Sequence, residues 1–243
     1  MVELNKIVTW LNDYLEIEKF MEDSSMNGLQ VESGTDIKKI ALAVDAGLET
    51  FKLAKEEGAD LIIVHHGMYW VNSEHLVRGV NAERIRFLMN NKLSLYASHL
   101  PLDAHPEIGN NIQIVKKLGF EEVTKFDDLS YSVEMDLTFD ELVKLVETKI
   151  GKVRKFKFGN EKVGKLIVCS GAASSLSFSA PIGSTCLIGE AYHFLFHPAH
   201  ERKLNFIEAG HYVTETFGVK ALAKKLENQF DVETVFIDVP TGM

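Results

Sequence analysis

Cysteine is scarce. Only Cys169 and Cys186 occur in 243 residues, and they make neither a CxxC pair nor a disulfide framework. That pattern fits a reducing compartment, and both are expected to be small buried apolar residues. Long apolar runs are absent as well: none approaches the ~18 residues of a membrane-spanning helix. The opening "MVELNKIVTWLNDYLEIEKFMEDSS" carries acids throughout and has no apolar core of the kind a signal peptide needs, so a cytoplasmic protein is expected. Positive charge is in deficit. Lys and Arg total 26 against 35 Asp and Glu, a formal charge of −9. This opposes broad binding to a phosphate backbone, and no basic or aromatic stripe suits single strands, so nucleic acid is not an expected partner. There is no low-complexity linker and no Walker-type phosphate loop. What remains is ordinary globular composition, 46% hydrophobic and 25% charged.

Ile7, Leu11, Tyr14 and Leu15 share one face of an amphipathic helix. "DSSMNGLQVES" then reads as a polar turn. From there strands alternate with helices: a strand over 40–44, a helix stopped at Gly58, a strand "LIIVHH", a helix over 82–91, and "LSLYASHLPLDAHP" as a strand running into a loop. The alternation predicts an α/β sheet that is at least partly parallel. In the second half Thr138 and Glu141 form a capping box, and strands at "KLIVC", "STCLI" and "LNFIE" lead to a long helix and a closing strand. Both halves end short apolar strands in polar residues, His65-His66 in the first and Gly189-Glu190 in the second. This suggests a repeated module with ligands at strand C-termini. Two lobes, 1–127 and 128–243, are expected, divided at the acidic turn near Asp127-Asp128; the strand over 232–239 is a candidate member of the first lobe.

Three clusters carry the chemistry. His65-His66 stands at a strand end, where the turn at Gly67 would let both rings face one cavity. "SHLPLDAHP" supplies His99, Asp103 and His105, with Pro101 and Pro106 stiffening the segment. "EAGHYVTE" puts His211 and Glu215 four apart on one helical face. Imidazoles with carboxylates suit Zn, Mn, Fe, Co or Ni. Five ligands, His65, His66, Asp103, His211 and Glu215, suffice for two ions with bridging carboxylate and open positions for water. Glu190 and His99 are candidate acid/base groups, and Asp45 could orient a ligand histidine. Ser25, Asn27 and Tyr192 could line the pocket. His75, His193, His197 and His200 read as surface or hydrogen-bonded residues.

"NGLQVE", "HHG", "ASHLPLDAH" and "GEAYH…EAGHYVTE", in that order along nearly the whole chain, resemble the NIF-three-like family, also called GTP cyclohydrolase I type 2 homologues. The resemblance implies two similar α/β lobes of mixed sheets flanked by helices, with a dinuclear metal site in the cleft between them, and a toroidal homohexamer. It assigns His66 and Asp103 to one ion, His65 and His211 to the other, and Glu215 as the bridge. The chain departs from the family at "CSGAASSL", where a glycine-richer turn is usual, and at Ile188, where threonine is frequent. The implied activity is a metal-dependent hydrolase acting on a nucleotide or related small molecule, GTP being one case. The alternative is a metal-containing regulatory or interaction protein without turnover.

Overall fold

The computed structural model describes residues 1–73 and 75–243. The chain opens with β1 (Val2–Glu3), α1 (Leu4–Tyr14), β2 (Gly28–Val31), β3 (Asp36–Ile37), β4 (Lys39–Asp45), α2 (Leu48–Glu56) and β5 (Leu61–His66). It continues with α3 (Gly79–Asn90), β6 (Ser94–Ala97), α4 (Leu100–Ala104), α5 (Asn110–Leu118), β7 (Thr124–Lys125), β8 (Tyr131–Thr138) and α6 (Phe139–Lys149). It ends with β9 (Arg154–Phe156), β10 (Lys162–Cys169), α7 (Leu176–Ser179), β11 (Thr185–Ile188), α8 (Phe196–Glu201), β12 (Asn205–Glu208), α9 (His211–Gln229) and β13 (Glu233–Phe236).

The chain divides into two compact units, residues 1–105 with 218–239 and residues 106–217 with 240–243. The division falls after His105, not at the acidic turn near Asp127-Asp128. The reason lies in α5: Ile112, Ile114, Val115 and Leu118 share a core with Tyr131, Leu142, Leu166 and Val168 of the second unit. The closing strand β13 pairs with β4 and so belongs to the first unit.

In the first unit a five-stranded sheet runs β13-β4-β5-β6-β2, parallel except for β2. Leu61 to Val64 are wholly buried, as a central parallel strand covered on both faces requires. Register sets Asp45 opposite His66 and Val64 opposite Ala97. Leu4, Ile7, Leu11 and Leu15 bury the inner stripe of α1.

In the second unit a six-stranded sheet runs β7-β8-β10-β11-β12-β9, with β10, β11 and β12 parallel and the flanking pairs antiparallel. Alternation along β10 and β11 feeds two cores. Leu166, Val168 and Leu187 face the layer holding α5 and α6; Ile167, Cys186 and Ile188 face Leu176, Leu195 and Ala199. Cys186 is wholly buried, which pushes its thiol pKa up, while Cys169 is half-buried. Thr138 caps α6 as expected: its hydroxyl accepts from Glu141 N while Glu141 Oε2 accepts from Thr138 N.

The two units repeat one strand plan. In the first, β4-β5-β6 lie side by side in chain order, with the preceding β2 antiparallel beside β6. In the second, β10-β11-β12 do the same, with the preceding β9 antiparallel beside β12. Hence the segments after β5 and β11 correspond, as do those after β6 and β12, and the polar residues of the site lie at the ends of these strands or in the segments that follow them.

Candidate metal centre

In the first unit three imidazoles converge at the C-terminal ends of β5 and β6. Ring centroids of His65 and His66 are 4.6 Å apart, His65 and His99 5.1 Å, and His66 and His99 5.6 Å. One ligand nitrogen from each lies within 4.8 Å of the others. Each ring is tied back through Nδ1. His65 Nδ1 donates to Ser98 O at 3.0 Å, His66 Nδ1 to Asp45 Oδ1 at 2.8 Å, and His99 Nδ1 to Asp23 Oδ1 at 2.9 Å. A nitrogen facing a carbonyl or carboxylate carries the proton, which leaves Nε2 as the ring atom a cation would take. Asp103 Oδ2 stands 3.5 Å from His65 Nε2.

The doubled histidine works because the chain turns at Gly67, though not through an unusual backbone angle. Gly67 is absent from the positive-φ residues; its missing side chain makes room for others. A Cβ there would run into the Gln30 amide and stand 2.7 Å from Ala97 Cβ. Gln30 in turn accepts from Met68 N and donates to Met26 O. Trp70 closes this corner, its ring 5.0 Å from His99 and 5.8 Å from His66, with Nε1 donating to Gly67 O.

Asp23, which no sequence motif singles out, organises the imidazole cluster. Its buried carboxylate accepts from His99 Nδ1, Asn27 Nδ2, Ser25 N and Leu100 N. Burial alone would raise its pKa. Hydrogen bonds from His99 and Asn27, with attraction to His99, outweigh that and hold it at about 2. Asn27 also accepts from His99 N, so it links the turn to the segment after β6. The available signal was the D-S-S-M-N-G turn itself, whose residue types favour side-chain-to-backbone bonds. Asp103 sits in the short helix α4 rather than in a loop, because Pro101 fits a first helical turn. His105 packs on Tyr14 at 4.5 Å and reaches Tyr14 O, apart from the three-imidazole cluster.

In the second unit His211 is the first residue of α9. Its Nδ1 donates to Glu190 Oε2 at 2.7 Å, and its Nε2 is 3.1 Å from Glu215 Oε1 one turn on. Glu190 thus orients His211 from the end of β11. Glu215 is buried in a cradle built by Gly171, at φ +60°, where a Cβ would collide with the Glu215 carboxylate. Gly171 N donates to Thr214 Oγ1, and Ser170 N to Asn111 Oδ1. The "CSGAASSL" turn therefore keeps a glycine at the position where Glu215 needs space. Ser174 Oγ accepts from Tyr192 N and donates to Glu190 O, fixing that strand end, while the Tyr192 side chain is exposed. His193, His197 and His200 lie around α8, with His200 against Phe158. His75 donates to Trp70 O.

The Duf34/NIF3 (NGG1p interacting factor 3) family model matches residues 2–242. The chain belongs to the NIF3 family. It is 38% identical over 249 residues to the GTP cyclohydrolase 1 type 2 homolog of Archaeoglobus fulgidus, each chain covered in full. Among solved structures it superposes on protein ybgI, described as of unknown function, with a TM-score of 0.93 at 34% identity over 99% of each chain. It superposes on TTHA1606 from Thermus thermophilus with a TM-score of 0.91 at 37% identity over the whole of both.

The donors of this NIF3-family chain fit a divalent cation on chemical grounds. In each unit an imidazole whose Nδ1 is tied to an oxygen turns Nε2 toward a carboxylate. A carboxylate oxygen facing an imidazole nitrogen is satisfied by a proton on that nitrogen or by a metal cation held between the two, and the donor set is one that divalent cations take. No helix of the described residues is long and apolar enough to cross a membrane.

Proposed function

We propose that this NIF3-family protein is a metal-dependent hydrolase that holds two divalent ions per chain, using His65, His66, Asp103, His211 and Glu215. The observation that carries the reading is the repeated arrangement of an imidazole tied at Nδ1 with a carboxylate at its Nε2. Metal-ligating histidines have their other ring nitrogen tied to an oxygen in this way. Such ions, when bound, would lower the pKa of a coordinated water and polarise the bond it attacks. The chain's own residues do the positioning. Asp45 holds His66, Glu190 holds His211, and Trp70 walls the three imidazoles on one side. Glu190 and His99, the candidate acid/base groups, are each engaged in a carboxylate–imidazole pair. The names of the relatives point to a nucleotide or similar small molecule as substrate.

The test is metal content per chain by elemental mass spectrometry, on the purified protein, on chelated and reloaded protein, and on Glu215→Ala. About two ions in the reloaded protein and fewer in the variant are expected, as a dinuclear centre requires. GTP, phosphoesters and cyclic amides are then assayed for hydrolysis. No saturable metal would overturn the reading.

A second reading, a metal-containing interaction protein without turnover, draws on exposed apolar side chains, among them Phe178, Ile182 and Phe194 of the second unit. The family resemblance attaches a homohexamer to either reading. Light scattering on the loaded protein tests it, and a monomer would remove it.

A further inference from the structure

We propose that Tyr192, Phe194 and Phe178 of the second unit form a stacking platform for the planar base of a nucleotide. This deepens the hydrolase reading above and rests on it for the reacting end of the ligand, while the stacking itself needs no metal.

The three rings form one exposed group. Phe178 and Phe194 lie nearly parallel, 13° apart in plane with centroids at 6.0 Å, and Tyr192 stands against Phe194 at 60° and 6.1 Å. Phe178 is 58% exposed, Phe194 49% and Tyr192 46%. Contiguous aromatic surface left in water points to a binding role. The platform is also held in place from below. Leu176 of α7 and Leu195, in the turn between β11 and α8, are buried in one core with Ala199, which anchors the backbone beside Phe178 and Phe194. Ser174 Oγ accepts from Tyr192 N at 2.7 Å, and Leu195 N donates to Tyr192 O at 3.0 Å. A ligand arriving on these rings has little ordering to impose. Size and place then argue for a base rather than a protein. Three half-exposed rings offer roughly 300 Å², whereas a stable interface takes about 800 Å² from each partner. Phe196 belongs to a separate group with Phe158 and His200. A stacked base needs only a ring face, and every base has one to offer. Tyr192 follows Glu190 by two residues, and Glu190 holds His211. The end of β11 therefore serves both a proposed metal ligand and the platform, as a ligand that stacks at one end and reacts at the other requires.

Guanosine carries a base without phosphates, and free ribose carries no base. Each is titrated to millimolar concentration into the chelated protein, and saturation-transfer NMR reads which ligand protons approach the rings. The double variant Phe178→Leu with Phe194→Leu keeps apolar bulk and deletes the ring faces, whereas Phe194→Tyr keeps the face. Melting temperatures check folding, light scattering gives the oligomer size, and zinc per chain is measured on reloaded samples. Transfer into the guanosine base proton H8 is expected to exceed transfer into the ribose protons, with free ribose giving none. Affinity for guanosine should fall about tenfold in the double variant and stay within about twofold in Phe194→Tyr. Three results overturn the proposal: no transfer into H8 in the unmutated protein, equal guanosine affinity in the double variant, or a smaller oligomer in the double variant, which assigns the patch to a second copy of the chain. Absence of saturable zinc is a different failure. It removes the hydrolase reading, while guanosine binding, read without metal, decides the platform by itself.

Discussion

At the scale of single residues, the candidate site depends on groups that never need touch a ligand. Asp45, Asp23 and Glu190 each fix one imidazole. Replacing Asp45 or Glu190 by the matching amide keeps the shape and weakens the hold on the Nδ1 proton. Such changes are expected to weaken metal affinity about 10–100-fold, measured by competition with a chromophoric chelator. Asp23 also sets a pH dependence. Its pKa is lower in the folded chain, about 2 against an ordinary 3.8, so the stability it contributes is present above pH 3.8 and is lost as pH falls toward 2. In the metal-free protein Asp23→Asn should lose about 2 kcal/mol at pH 6 and far less near pH 2, measured by urea unfolding at both values. An equal loss at both would show that the effect is steric. The ligand-type histidines and acids could be read from sequence because their residue types announce metal chemistry. Asp23 could not, since it looks like any turn aspartate until the fold brings His99 to it from 76 positions away.

At the scale of elements, the long periodic segments were legible and the short ones were not. The stripe of α1, the run of β5 and the Thr138–Glu141 cap on α6 are local patterns, and each stands where its pattern puts it. Thr138→Ala is expected to cost about 1 kcal/mol of unfolding free energy by loss of the cap, with metal content unchanged. The helix α4 escaped because five residues leave no period to detect and because Pro101 and, beyond it, Pro106 suggested a loop. The role of Gly171 escaped for a different reason: only the packing of Glu215 shows why that position lacks a side chain. Gly171→Ala forces an alanine to φ near +60° and onto the Glu215 carboxylate. About 1–3 kcal/mol of strain is expected, together with loss of metal by elemental analysis, a pairing that Thr138→Ala does not show.

At the scale of the whole molecule, the repeated strand plan was visible only as an echo. His65-His66 and Gly189-Glu190 both follow short apolar strands, but the matching order of β2, β4, β5, β6 and β9, β10, β11, β12 depends on pairings distant in sequence. The acidic turn near Asp127-Asp128 was the most conspicuous break in composition, yet α5 had already committed its apolar face to the second unit. An ion that binds only the folded chain stabilises it by mass action. Saturating zinc at a hundred times Kd should add about 2.7 kcal/mol per ion, seen as a melting transition that rises with zinc and falls back with chelator. The two tryptophans make loading visible by another route. Trp10 stacks on Tyr14 and meets Phe230 edge-on, whereas Trp70 lies against His99 and His66. In a Trp10→Phe chain the remaining indole emission comes from beside the imidazoles alone. A paramagnetic ion arriving there should dim it in proportion to occupancy, so that the protein's own light counts the ions it has taken up.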